Sequence, residues 1–113
     1  MKFTTKDPRG YIISCSTNTW NNHIITGHPI MNTNEEAVIS TIECPDIIYK
    51  SKEYDNRDIY YSLGTMQSYP NLYTKVVVQL DENVKEGKIM TAWGTRKISG
   101  IDEGRLLYVK NKL

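Results

Sequence analysis

The chain contains two histidines, and both fall in the stretch Trp20-Asn21-Asn22-His23-Ile24-Ile25-Thr26-Gly27-His28-Pro29. Imidazole is the side chain whose ordinary pKa lies nearest working pH, so it is the usual mover of protons in catalysis. Read as a helix over Thr19 to Thr26, the stretch puts Trp20 and Ile24 on one face as an i,i+4 apolar stripe. His23 lies beside that stripe, at the rim of whatever the helix packs on. His28 comes five positions later, about 140° further round an ideal helix. Gly27 predicts a left-handed C-terminal cap, and Pro29 disfavours helical geometry at His28. His23 is therefore the catalytic candidate and His28 a second, substrate-side one. The plain alternative makes His23 a helix flank and His28 a turn residue.

Phosphate and base chemistry is written further on. In Lys88 to Thr95, strand alternation sets Ile89, Thr91, Trp93 and Thr95 on one face and Met90, Ala92 and Gly94 on the other. The second set is small and apolar, a surface on which helices pack. Thr91 and Trp93 are then left on the open face, where a hydroxyl can donate to a phosphate oxygen and an indole can stack on a base. Both residue types also favour strands for their own sake. In Arg57 to Leu63, Arg57, Ile59 and Tyr61 alternate with Asp58, Tyr60 and Ser62. The planar fork of Arg57 suits two phosphate oxygens; the competing reading is a surface ion pair with Asp55 or Asp58. Tyr49, Lys50, Tyr60 and Lys75 are further polar-face candidates, with Lys50 and Tyr60 assigned to substrate binding.

The elements that must position these groups follow from pattern. Residues 1–9 are polar and read as irregular, and Gly10 to Ser16 as a short strand. Thr17, Asn18 and Thr19 offer N-caps for a first helix ending near Gly27. Met31 to Asn34 reads as a connector. Thr33 or Asn34 then caps a second helix, Glu35 to Ile42, whose leading acids suit the helix dipole. Its buried stripe is Val38, Ile39 and Ile42, and Pro45 ends it. The period then becomes extended. Strands are predicted at Asp46 to Lys50, Arg57 to Leu63, Leu72 to Leu80 and Lys88 to Thr95. Loops fall at Ser51 to Asn56, Gly64 to Asn71 and Asp81 to Gly87. Val76-Val77-Val78 marks a central strand buried on both faces. Residues 97–113 are an edge strand or a docked tail. The expectation is a single α+β domain over 1–113 with its core at 17–96: two N-terminal helices on one face of a four-stranded antiparallel sheet, the other face open to a ligand.

Bulk composition narrows the function. The length suits one modest core, and the apolar fraction of 39 % is a little low but not that of a disordered chain. A net charge of +1 gives no global footprint for nucleic acid, though a local patch remains open. No run is apolar and long enough to span a membrane, and the opening residues lack a secretory signal pattern. Cys15 and Cys44 are isolated, as structural thiols of a reducing, cytoplasmic setting, and with two histidines they form no zinc signature. There is no serine-nucleophile motif, no glycine-rich phosphate loop, no HExxH and no acidic cluster built for magnesium. The chemistry expected is side-chain acid–base chemistry without metal or cofactor.

The ordered series Trp20-x-x-His23-Ile24-x-x-x-His28-Pro29, Ile42-x-x-Pro45-Asp46-x-Ile48, Arg57-x-Ile59-Tyr60-Tyr61, Val76-Val77-Val78 and Thr91-Ala92-Trp93 resembles the phage-associated branch of the barnase–EndoU–colicin–RelE-like RNases, the BECR fold. It spans Trp20 to Thr95, two thirds of the chain. The resemblance implies a metal-independent endoribonuclease of toxin or prophage type. It would cut tRNA or another cytoplasmic RNA and be held in check by an antitoxin or immunity protein. Thr91-x-Trp93 also looks like the Ser-x-Trp of tRNA-cutting colicin domains, which pair it with a helical histidine, a role that maps to His23. RNA carries its own nucleophile, the 2′-hydroxyl, which DNA lacks. On this reading His23 moves the proton, Arg57 neutralises charge growing on phosphorus, Thr91 donates a hydrogen bond, and Trp93 or a tyrosine stacks a base. A catalytically inactive module of the same fold, binding RNA or a protein partner, is the alternative. An unrelated phage or accessory protein is the third.

Overall fold

A computed structural model of the chain describes residues 1–98 and 105–110. Its strands are β1 (Phe3–Lys6), β2 (Ile12–Cys15), β3 (Ile47–Lys50), β4 (Arg57–Leu63), β5 (Tyr73–Asp81), β6 (Glu86–Thr95) and β7 (Leu106–Val109). They form one sheet in the order β1-β2-β6-β5-β4-β3-β7. All neighbours are antiparallel except β2 and β6, which run parallel over Ile12–Glu86 to Ser14–Lys88. The expected architecture is thus corrected. The protein is mostly β, with a seven-stranded mixed sheet among the described residues, not two helices on a four-stranded antiparallel one.

The missed strands have local causes. Residues 1–9, expected to be irregular, supply β1 because Asp7-Pro8-Arg9-Gly10 is a tight turn. The Asp7 carboxylate accepts from the backbone N–H of Arg9 and of Tyr11, both at 2.9 Å, and Gly10 takes a positive φ of 94°. That hairpin lays Phe3–Lys6 against β2. β7 pairs with β3 from far along the chain, so the stretch read as tail or edge strand is an edge strand at 106–109. The remainder of it, at 99–104 and 111–113, lies outside the described residues.

Helix is confined to short pieces over one face. α1 (Thr17–Thr19), a π-helical turn (Trp20–Ile24) and α2 (Ile25–Gly27) make a broken run, followed by a 3-10 turn (Pro29–Thr33) and α3 (Glu35–Glu43). The start is capped by Ser16, whose hydroxyl accepts from the Thr19 N–H at 3.0 Å, not by Thr17, Asn18 or Thr19. In the wide π turn, residues four apart nearly eclipse, and Trp20 and Ile24 are both buried. Gly27 stays helical instead of forming a left-handed cap; the chain leaves the helix at His28, with φ −140° and ψ 79°. The expected connector at 31–34 is mostly the 3-10 turn, and Met31 within it is buried. On α3 the buried set is Ala37, Val38, Thr41 and Ile42, while Ile39 is only half-buried. Asn34 caps α3 by position but not by side chain, which donates to the Ile30 carbonyl instead.

The core lies between this helical layer and the sheet. Ile13, Ile48, Tyr60, Val76, Val78, Ile89 and Ala92 meet Trp20, Ile24, Met31, Val38 and Ile42 there. A register shift opposite Val77 and Val78 inserts an extra residue in β6. This bulge turns Ile89 into the core with Ala92, where strict alternation had set it beside Thr91. Val77, between two buried valines, is only half-buried, so β5 is covered fully on one face alone. No helix among the described residues is long and apolar enough to cross a membrane.

Candidate functional site

The bulge and the strand registers decide what reaches the face away from the helices. Ile59, Val77 and Thr91 form one row across β4, β5 and β6, and Tyr61, Lys75 and Trp93 the next. Between this face and the loop at 51–56 is a cleft of about 360 Å³, lined by Tyr54, Arg57, Lys75, Thr91 and Trp93, with Ser51, Lys52, Glu53, Ile59 and Val77 completing its wall. Three of the expected site residues, Arg57, Thr91 and Trp93, therefore share one cleft. Arg57 and Thr91 stand two strand spacings apart across the sheet and two residues apart along it, about 12 Å at the backbone. An arginine side chain covers part of that span.

Two basic groups in the cleft, Arg57 and Lys75, are seated on rings. The Arg57 guanidinium carbon is 4.0 Å from the centroid of Tyr54, and the Lys75 ammonium is 4.8 Å from that of Trp93 and 5.5 Å from that of Tyr61. Tyr54 is held in place by a local turn. The Ser51 hydroxyl accepts from the N–H groups of Glu53 and Tyr54, both at 3.2 Å, and Arg57 bonds back to the Tyr54 carbonyl through its own N–H. Arg57 forms no ion pair among the described residues, and its Nε is buried with no hydrogen-bond partner. A buried guanidinium N–H without an acceptor is costly. The alternative of an Arg57 pair with Asp55 or Asp58 does not hold: Asp58 faces the helical side and binds Arg9 at 2.9 Å.

The histidines part company. β2 covers the outer edge of β6 only as far as Lys88. Beyond that point the helical run lies against β6, and its last residue before Pro29 reaches Trp93 without lining the cleft itself. The His28 ring is stacked on Trp93, centroids 5.4 Å apart and planes inclined by 20°. Its backbone is pinned on both sides, the N–H donating to the Ile24 carbonyl at 2.8 Å and the carbonyl accepting from Met31 at 2.9 Å. His23 is exposed on the π turn, does not line the cleft, and makes no hydrogen bond or ring contact among the described residues. The π turn is the reason, since its wider winding sends Trp20 and Ile24 inward and leaves His23 outside.

Two expected substrate-binding residues lie on the wrong face. The Tyr60 hydroxyl is buried on the helical side, donating to Asp7 at 2.7 Å and accepting from Arg9 at 2.9 Å. Burial, reinforced by Asp7, holds that phenol protonated far above its ordinary range. Lys50 is paired in register with Asp58 and donates from Nζ to the Asp55 carbonyl. Period-two alternation separates both from Arg57 and Tyr49. Sequence reasoning passed over Tyr54, whose only signal was an aromatic ring three residues before Arg57 in a polar loop. No group of three or more His, Cys, Asp or Glu side chains among the described residues is placed to hold a metal ion. No family model, curated protein or solved structure matches this chain.

Proposed function

We propose that this chain is an endoribonuclease that works without metal and binds a single RNA strand on the sheet face away from the helices. The observation that carries the reading is the seating of Arg57, Thr91 and Trp93 on one cleft, with Lys75 between them and His28 stacked on Trp93. These residues, and not the fold, are what carries the BECR resemblance forward. In the proposed reaction the 2′-oxygen bonds to the adjacent phosphorus while the bond to the 5′-oxygen breaks. The products are a 2′,3′-cyclic phosphate and a 5′-hydroxyl. Arg57 meets the non-bridging oxygens with its guanidinium, and Thr91 donates a further hydrogen bond. Lys75 adds positive charge, and Trp93 offers a stacking face. Of the two histidines His28 is the one in contact with a residue of the cleft, Trp93, so it takes the proton-transfer role, and His23 becomes the control. A neutralising protein partner belongs to this reading.

A second reading rests on one distance. The His28 ring is parallel to Trp93 at 5.4 Å, a pose that also suits a base-stacking platform without chemistry. Incubation with total tRNA and ribosomal RNA in excess EDTA separates the two. Cleavage is expected to leave cyclic-phosphate ends, to be lost in Arg57→Ala and His28→Ala, and to persist in His23→Ala. Activity lost in His23→Ala but kept in His28→Ala would overturn the assignment. Binding without cleavage by folded wild-type protein would leave the stacking platform.

A further inference from the structure

We infer that a second nucleotide-binding subsite lies beside the cleft, at the far end of β6, and fixes the direction in which the RNA strand runs; this rests on the RNA reading above. Thr95 follows Trp93 on the same sheet face, about 7 Å further along the strand. There a second hollow, of about 800 Å³, opens around the end of the sheet between residues 94–96 and the loop at 68–72, with Gly94 and Leu72 on the wall toward the helical side. It carries the ring and hydroxyl of Tyr69, an amide, two further hydroxyls and a guanidinium, and no carboxylate among the described residues. Tyr69 and Arg96 are both exposed, so a nucleotide can reach them without displacing core.

The loop that presents Tyr69 is built to hold still. Its backbone closes through Tyr69 N–H to Met66 O at 2.9 Å, Leu72 N–H to Tyr69 O at 3.1 Å and Gly64 N–H to Leu72 O at 3.0 Å. Met66 is buried beneath it, and Thr65 bonds Thr74 of β5 at 2.7 Å. A rigid aromatic platform loses little entropy when a base stacks on it. The opposite end of the sheet repels a phosphate chain. The hollow there, of about 560 Å³, is lined by Asp55, Asp58, Asp81 and Glu82, with Lys50 as the one cation among the described residues that line it. A neighbouring one of about 400 Å³ carries Asp81 and Glu86 against Lys88. Charge therefore admits a strand running from Arg57 past Trp93 to Tyr69 and Arg96, and disfavours one running toward the β5–β6 hairpin. Base stacking on Tyr69 and a phosphate contact to Arg96 are the two expected interactions.

The test is fluorescence anisotropy with dye-labelled 2′-O-methyl oligouridylates, in which the nucleophile is blocked. Wild type, Tyr69→Ala, Tyr69→Phe, Arg96→Gln and Arg57→Ala are compared on an octanucleotide across a salt series. Tyr69→Ala is expected to weaken binding about tenfold, within the range for one stacked base, while Tyr69→Phe keeps it. Arg96→Gln should lower the slope of log affinity on log salt by about 0.7, the value for one phosphate on a single strand. Wild-type affinity in Tyr69→Ala and Arg96→Gln, with binding lost in Arg57→Ala, would overturn the subsite and leave the cleft reading standing. No binding by the wild type would overturn the RNA reading and the subsite with it.

Discussion

Arg57 shows how one side chain's surroundings set its use. It sits on Tyr54, has an unpartnered Nε and makes no ion pair among the described residues. On the proposed reading its planar fork, and not its charge alone, is what a phosphate would use. Arg57→Lys should therefore lose most RNA cleavage while melting within a degree or two of wild type; equal activity in the lysine variant would show that charge alone suffices. Cys15 is the opposite kind of residue. Burial, with Glu35 assisting, pushes its thiol from 9.0 up to about 11, whereas Cys44 is exposed. In native protein at pH 8 a maleimide should label Cys44 alone, and both thiols in denaturant, as mass spectrometry would read. The linked stability follows in sign. The folded thiol holds its proton where the unfolded one loses it, so stability is full below about pH 9 and falls as pH rises toward 11. Urea midpoints in that range should decline less steeply in Cys15→Ala.

Short elements set the precision of the site. The β6 bulge turns Ile89 inward and keeps Thr91 and Trp93 outward. The π turn sends His23 away while the helical run still delivers His28 to the edge of β6. The 64–72 loop depends on Gly64, which takes a φ of 76°; a Cβ there would stand 3.3 Å from the Pro70 carbonyl oxygen. Gly64→Ala should cost about 1–2 kcal/mol, the penalty of a left-handed non-glycine residue, read as a lower urea midpoint. It should also weaken octanucleotide binding if Tyr69 is displaced with the loop. An unchanged midpoint would mean that the loop shifts freely, against its description as a rigid platform.

At the scale of the molecule, one buried polar cluster joins the β1–β2 hairpin to the middle of the sheet. Asp7 accepts from Arg9, Tyr60 and two backbone N–H groups, and Arg9 also binds Asp58 at 2.9 Å. Burial raises the Asp58 carboxyl above its ordinary range, and Arg9 opposes the rise. Asp7→Ala would leave a phenol and two N–H groups without their acceptor and Arg9 with Asp58 as its remaining carboxylate, at a cost of about 3–5 kcal/mol; chemical denaturation would measure it. A change below about 1 kcal/mol would indicate that water replaces the carboxylate. The cluster lies on the helical side of the sheet and the cleft on the other. RNA cleavage by Asp7→Ala, assayed where it is still folded, should match wild type.

Much of the local structure was legible because local rules decide it. β-branched and aromatic runs marked Arg57–Leu63, Tyr73–Asp81 and most of β6, and period-two alternation put Arg57 opposite Asp58 and Tyr60. The leading acids and Pro45 bounded α3 to within a residue or two. Asp7-Pro8-Arg9-Gly10 is also a readable turn signal, and the hairpin that it closes is what adds β1. The rest depended on partners distant in sequence. Lys50 and Tyr60 were assigned to the ligand side because a polar tip on a strand looks the same whether it meets water or a buried Asp7. His23 was preferred to His28 on α-helical angles, which a π turn alters without a clear mark in the residues. Residue types and spacing by themselves determined which side chains could handle a phosphate and a base. The tertiary structure alone decided which of them meet, because strand register, one bulge and the uncovered edge of β6 arise from long-range pairing.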